Sequence, residues 1–283
     1  MLLFAKPLVE EKIQEFKNRV SKLDRIPKLV ILRVGNDKAS EKYVNNKVKR
    51  CEEVGIESEI IHLGEGVPQW EVEHKIQVLN DNAWVTGILL QLPLPKHLDE
   101  DYLTSLITPE KDVDGFTANN MGKLVLGQEG NVACTPKGII DLLKYNKIEM
   151  EGKNVLIINR SNIVGKPLAH LFLKENATVT IAHSKTNKER LKDLVSTSDI
   201  VVTAIGKPNW FNSDDFKEGT TIVDVSINFD ENGKMCGDVA KADYDKLVEK
   251  NCNVTPVPNG VGQMTVISLI EQTIEIAEKK ERM

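Results

Sequence analysis

Short apolar runs rich in Val, Ile and Leu alternate along this chain with stretches whose apolar positions recur at the helical period. Leu29-Val30-Ile31-Leu32-Arg33-Val34-Gly35 reads as a buried strand ended by glycine. Residues 38–54 then read as a helix with Gly55 as its C-cap. A strand over 58–63, a helix over 68–80 with Pro68 near its start, and a strand over 87–92 follow. Pro93 and Pro95 close that last strand, since neither can donate to a ladder. A helix over 135–146 leads into the same rhythm again. Strands are expected at 154–159, 178–182, 200–205 and 221–225, helices at 166–174 and 188–196, and a long amphipathic helix from Met264 to about Lys280. Strand–helix–strand order implies parallel strands joined by helical crossovers. The expected fold class is therefore α/β, with two α/β lobes around a cleft and ligands beyond the carboxyl ends of the strands.

Composition narrows the setting. The 283 residues are 41% hydrophobic and 28% charged, the profile of a globular chain with a sizeable core. A net charge of −5 argues against a nucleic-acid partner, which favours basic stripes. No apolar run approaches the ~18 residues of a membrane helix, so no membrane role is expected. The opening Met1-Leu2-Leu3-Phe4-Ala5-Lys6-Pro7 meets a charge too early for a signal peptide. Cys51, Cys134, Cys236 and Cys252 are widely spaced and form no CxxC pair. Reduced thiols in a cytoplasmic protein, and no metal site, are the expectation.

Candidate cofactor chemistry lies in the second half. Val155 to Pro167 is a strand, a polar loop (Asn159-Arg160-Ser161-Asn162) and a helix start. Backbone N–H groups at such a helix N-terminus can hold a phosphate. The GxGxxG spacing is missing, so on this loop alone a plain α/β connection is an equal reading. The following turn, Ala182-His183-Ser184-Lys185-Thr186, carries no acid to accept from a ribose 2′-hydroxyl. Ser184 can donate to a 2′-phosphate there and Arg160 can pair with one, which favours NADP. The plainer alternative is that both are surface loop residues.

Candidate substrate chemistry lies in the first half. Tyr43 and Lys47 stand i, i+4 on one face of the helix over 38–54. A lysine against an apolar wall can exchange protons near neutral pH. On spacing alone an exposed Tyr–Lys pair is the ordinary reading, and Lys42, Lys49 and Arg50 cannot be ranked against Lys47. Gln91, late in the apolar strand, must find partners either within the protein or in the cleft. Asp112 and Asp114 flank Val113 before Gly115; they can cap a turn, or one can bind a ligand with adjacent N–H donors. Thr255 to Thr265 combines Pro and Gly before the last helix, either as a loop for close ligand approach or as a stiff connection.

Several segments together resemble the methylenetetrahydrofolate dehydrogenase/cyclohydrolase family over nearly the full length. They are Tyr43-Val44-Asn45-Asn46-Lys47, Gln91-Leu92-Pro93-Leu94-Pro95, Pro109 to Gly115, Cys134-Thr135-Pro136-Lys137-Gly138, Arg160 to Pro167 and Thr255 to Thr265. The resemblance implies a folate-binding catalytic domain over 1–135, a Rossmann-like NADP-binding domain with a parallel sheet over 136–263, and a last helix, 264–283, packed back on the first. It implies Lys47 as the central catalytic residue, Tyr43 positioning the folate, Gln91 tuning the lysine and Asp114 binding the pterin. Leu90, Leu92 and the loop Pro258, Asn259, Gly260, Val261 and Gly262 would line the folate site. Asn159, Arg160, Ser161 and Ser184 would hold NADP, with Ile227 near the nicotinamide. A cytoplasmic homodimer acting on tetrahydrofolate derivatives, in one-carbon metabolism serving purine biosynthesis, completes the expectation.

Four positions depart from the family pattern. Asn159 stands where Gly precedes the Arg-Ser pair, Ser226 replaces the Gly of Asp-Val-Gly-Ile-Asn, Asn259 replaces a Gly of Pro-Gly-Gly-Val-Gly, and Gln263 replaces the following Pro. Asn tolerates positive φ, so Asn159 and Asn259 are expected to keep the backbone path. The competing readings are a dehydrogenase without cyclohydrolase activity, against which Tyr43, Lys47, Gln91 and Asp114 all stand, and an inert folate- or nucleotide-binding protein.

Overall fold

The structure is a computed structural model describing residues 1–282, with the side chains of Lys38 and Ala39 excepted. Residue 283 of the expected last helix lies outside the described residues. In chain order the elements of the first half are α1 (Lys6–Val20), β1 (Lys28–Val34), α2 (Lys38–Val54), β2 (Glu57–Leu63), α3 (Gln69–Asp81), β3 (Gly87–Leu90), α4 (Glu100–Ser105) and α5 (Ala118–Val125). There follow α6 (Cys134–Tyr145), β4 (Asn154–Ile158), α7 (Gly165–Lys174), β5 (Thr178–Ala182), α8 (Lys188–Thr197), β6 (Ile200–Thr203) and β7 (Thr221–Asp224). The chain ends with β8 (Asn228–Phe229), β9 (Met235–Cys236), α9 (Tyr244–Glu249), β10 (Asn253–Val254) and α10 (Val261–Glu281).

These form two compact units. One comprises Glu10–Cys134 with the residues from Val266 onward; the other comprises Met1–Val9 and Thr135–Thr265. The first unit holds a parallel sheet in the order β2-β1-β3. Val30 and Leu32 of β1, Ile88 and Leu90 of β3, and Val72, Ile76 and Leu79 of α3 share one core. Leu29, Ile31 and Arg33 point to the opposite face, as strand alternation requires. Each fully buried side chain of this kind contributes ~1.5–3 kcal/mol relative to exposure. The C-terminal part of α10 joins this unit through Lys12 Nζ to Glu271 at 2.7 Å and a two-point Arg19–Glu278 pair at 2.9 Å each.

The second unit holds a five-stranded parallel sheet, β10-β7-β6-β4-β5, as expected of a Rossmann-like domain. Along β4, Val155 and Ile157 enter one apolar core while Leu156 and Ile158 enter another, so both faces are covered. The first residues of the chain extend this sheet: Leu3 N donates to Val254 O at 2.8 Å and Val254 N to Met1 O at 2.9 Å.

Boundaries moved where backbone bonding required it. β3 stops at Leu90, although Gln91 N still donates to Leu32 O at 2.8 Å. The last helix starts at Val261, earlier than Met264, directly after Gly260, where a Cβ would stand 2.6 Å from Pro256 O. The periodicity did not single out α1, the short α4, α5 and α9, or the β8–β9 pair.

Candidate active site

The first unit gathers its chemistry at the carboxyl end of its sheet. α2 is fixed at one end by the Asp37 side chain, which accepts from Ser40 N at 2.7 Å, and at the other by Gly55 at φ +86°. Among the cations of this helix, Lys42 and Lys49 are exposed and Arg50 pairs with Glu53 at 2.6 Å. Among the described cationic side chains of this helix Lys47 alone is buried, at 8% exposure. Its Nζ donates to Gln91 Oε1 at 2.9 Å, while Gln91 Nε2 donates to Leu92 O at 2.7 Å. With its amide nitrogen anchored, Gln91 keeps its carbonyl oxygen aimed at the ammonium. One of the three Lys47 donors is thereby engaged and two are available to a substrate. Tyr43, one turn earlier on the same face, is partly exposed, and burial of its ring raises its hydroxyl pKa.

The two acids after β3 separate cleanly. Asp112 is 1% exposed and accepts from Gly115 N (2.9 Å), Phe116 N (3.2 Å), Thr117 N (2.8 Å) and Asn120 Nδ2 (3.0 Å). It is the turn capper. Asp114 makes none of those bonds. Burial pushes its carboxyl above the usual carboxylate range, the Lys47 ammonium opposes that shift, and Asp112 adds to it. Lys47 and Asp114 therefore share one electrostatic environment, with Gln91 bonded to the lysine. The backbone carrying Asp114 is held by Gln272 of α10, whose Nε2 donates to Val113 O and whose Oε1 accepts from Val132 N, both at 2.7 Å. Cys134 Sγ donates to the same Val113 O at 3.3 Å, and burial with the neighbouring Asp114 charge raises this thiol well above its ordinary value. All four cysteines are free and buried, as inert thiols are. No cluster that could hold a metal ion exists among the described residues.

Leu90 and Leu92, expected to line the folate site, flank Gln91 at the end of β3. Leu90 is 4% exposed inside the apolar core and Leu92 packs against that core. Leu90 thus belongs to the core, and Leu92 remains partly exposed.

In the second unit a cavity of about 540 Å³ opens at the carboxyl ends of β4, β5 and β6. Asn159, Arg160, Ser161 and Ser184 all line it. So do Lys188 and Lys207, which the sequence did not single out, and no lining residue is acidic. Lys207 Nζ sits 3.9 Å from the ring centroid of Trp210, another lining residue. Of the two Asn departures, Asn259 adopts positive φ, at +87°, while Asn159, contrary to expectation, does not. Asn159 acts instead as a strut. Its Oδ1 accepts from Ser161 N (2.8 Å), Ser161 Oγ (2.7 Å) and Gly165 N (3.1 Å), and its Nδ2 donates to Ala204 O at 2.8 Å. Gly165 opens α7 so close to this loop that a Cβ would meet Asn159 O at 2.2 Å. Ile227 is 39% exposed and does not line the cavity. Pro258 to Gly262 belong to the second unit, Val261 and Gly262 forming the first turn of α10.

A unit with an all-parallel five-stranded sheet and an acid-free cavity at its strand ends, and a second unit of similar size built around a buried lysine, define a two-unit α/β protein of the dinucleotide-dependent class. Comparison with known proteins resolves the class further. Residues 3–114 match the profile described as "Tetrahydrofolate dehydrogenase/cyclohydrolase, catalytic domain", and residues 133–281 match its "NAD(P)-binding domain". The chain belongs to the tetrahydrofolate dehydrogenase/cyclohydrolase family. It is 44% identical over 275 residues to the bifunctional protein FolD of Bacillus anthracis, covering 96% of this chain and 94% of that one. The crystal structure of the bifunctional FolD enzyme of Campylobacter jejuni superposes with a TM-score of 0.95 at 42% identity, over 99% of each chain. The Trypanosoma brucei FolD structure, complexed with NADP cofactor and inhibitor, superposes at 0.93 with 31% identity, over 100% of this chain and 99% of that one.

Proposed function

We propose that this protein oxidises 5,10-methylenetetrahydrofolate with NADP and hydrolyses the resulting methenyl cation to 10-formyltetrahydrofolate. The observation that carries the reading is the buried Lys47 ammonium held at 2.9 Å by Gln91, in the same environment as the Asp114 carboxylate. In this reading Asp114 accepts from the adjacent N–H groups of the pterin, which fixes the ring. Tyr43 lies against the folate on the solvent side of Lys47. Lys47 donates to the one-carbon nitrogen region and relays the proton released as water adds to the methenyl carbon. Gln91 keeps the amine in place through that exchange. The Pro258 to Gly262 segment contributes backbone to the folate.

The residues of the second unit fit NADP. A cavity that mixes Arg160, Lys188 and Ser184 and excludes acids suits a 2′-phosphate. Held by these residues, NADP would supply the acceptor for the hydride that leaves the methylene carbon. Ile227 is assigned to the nicotinamide end. Residues 1–135 and 136–263 are taken as the folate and cofactor domains.

A homodimer is supported by β5, which is the edge of the five-stranded sheet and presents Ile181 at 41% exposure, with Leu173 of α7 at 54%. No helix among the described residues is long and apolar enough to cross a membrane. Together with the all-thiol cysteines this supports a cytoplasmic enzyme supplying formyl-folate, the one-carbon donor class that purine biosynthesis consumes. One assay tests the chemistry. NADPH and methenyl-folate formation are followed from methylenetetrahydrofolate, then decay of added methenyl-folate. Both are expected; neither would leave an inert binder, and the first alone a dehydrogenase without hydrolase activity.

A further inference from the structure

Asp238 follows β9 and is 0% exposed. Its Oδ1 accepts from Gly206 N (3.1 Å), Lys207 N (2.9 Å) and Asn228 Nδ2 (3.0 Å). Its Oδ2 accepts from Thr203 Oγ1 (2.7 Å), Ile205 N (2.7 Å) and Ser226 Oγ (2.8 Å). Six donors from the surrounding chain stand in for the hydration shell that this buried carboxyl group lacks. Nothing in the chemistry above uses it. Yet three of its donors are the consecutive backbone N–H groups of the turn leaving β6, and Ile205 and Lys207 of that turn line the dinucleotide cavity.

Ser226 completes the arrangement. Its hydroxyl donates to Asp238 and accepts from Gly206 N at 3.1 Å. Gly206 holds φ +77°, which glycine adopts without strain, so its N–H can turn toward both acceptors. Ser226 occupies a position where the family pattern carries Gly, so this second tie on Gly206 N–H comes from a side chain that the pattern lacks. Asp224, at the end of β7, holds the other side of the junction through Asp238 N (3.1 Å), Val239 N (2.8 Å) and Ser226 N (3.2 Å).

We propose that Asp238 and Ser226 are positioning residues for the dinucleotide: they hold the Ile205-Gly206-Lys207 turn in the conformation that receives NADP, without touching it. The inference rests on the cofactor reading above, and it makes Ser226 a reinforcement of a site whose contacting residues lie elsewhere.

The test is calorimetric titration of NADP into the full-length parent, Ser226→Ala, Ser226→Gly and Asp238→Asn, with a thermal melt and separate KM values for NADP and methylenetetrahydrofolate. Both Ser226 variants are expected to melt cooperatively and to weaken NADP three- to tenfold, while the folate KM shifts less than twofold. Asp238→Asn is expected to weaken NADP thirtyfold or more. Parent-like NADP affinity in both Ser226 variants would overturn the role of the hydroxyl. A cooperatively folded Asp238→Asn with parent-like affinity would overturn the whole proposal. Folate KM rising in step with NADP KM would show a general loosening instead of positioning, and would also overturn it. Should Asp238→Asn fail to fold, the Ser226 pair decides. A parent that does not bind NADP would instead refute the cofactor reading beneath the inference.

Discussion

Asp112 and Asp114 stand two residues apart, and replacing each by Asn should have opposite consequences. Asp112 accepts four hydrogen bonds, two on each oxygen. An Asn in its place turns one acceptor oxygen into an NH2 group whichever way the amide is set. Either Gly115 N and Phe116 N, or Thr117 N and Asn120 Nδ2, then face a donor. Each buried donor left without an acceptor costs ~1–3 kcal/mol, so the pair costs ~2–6 kcal/mol. Against a typical domain stability of ~5–15 kcal/mol that is a large fraction. Asp114 is different, because burial already disfavours its charge. Asp114→Asn should change stability by less than ~1 kcal/mol, yet remove an acceptor pair for the pterin and raise the folate KM more than ~10-fold. Urea unfolding at pH 7 and steady-state kinetics on both variants provide the check. A loss below about 1 kcal/mol in Asp112→Asn, or a wild-type folate KM in Asp114→Asn, would refute this division of labour.

Three further outcomes follow from the geometry. Lys47→Met should lower methenyl-folate hydrolysis by ~10²–10⁴-fold, the usual contribution of a proton-relaying group, with an unchanged far-UV spectrum; full retained activity in the purified variant would remove the lysine from the chemistry. Ser184→Asp sets a carboxylate against the 2′-phosphate and should weaken NADP at least ~10-fold while leaving NAD no worse, as read by titration with each; equal losses would contradict the assignment. Burial pushes Asp224 up to about 7 from 3.8, so the folded protein binds that proton more tightly than the unfolded chain. Its contribution to stability is complete below about pH 4 and is lost as pH rises through 7. Denaturant unfolding across pH 4 to 8 should show that decline in the parent and a flatter profile in Asp224→Asn; parallel profiles would exclude Asp224 as the source.

The sheet strands were legible because their apolar runs are dictated by burial on both faces, as at Val155 to Ile158. Capping chemistry was legible where a glycine with positive φ was needed, as at Gly55. The choice between Asp112 and Asp114 was not legible, because both sit in one turn and only the folded path shows which oxygens meet four donors. The same holds for Lys47 among its neighbours: helical spacing gives a face, but burial is set by what that face packs against. Asn159 misled because its type allows positive φ, while its side chain was in fact wanted as a strut. Gln272 and Asp238 left no local signal, since each acts on backbone remote in sequence. The resemblance supplied the roles of Tyr43, Lys47 and Gln91 that spacing alone could not.

The folate-binding unit draws on residues at both extremes of its span: a segment starting at Glu10 and a segment starting at Val266. Gln272 is the clamp behind Asp114, and Glu278 answers Arg19. During synthesis the ribosome makes the whole dinucleotide unit before the clamp emerges. The earlier-made half must therefore wait, its sheet formed against an incomplete partner, while the later-made lobe is free to condense first. A nascent chain stalled before residue 266 is expected to hold every residue of the cofactor unit and a catalytic unit without its clamp.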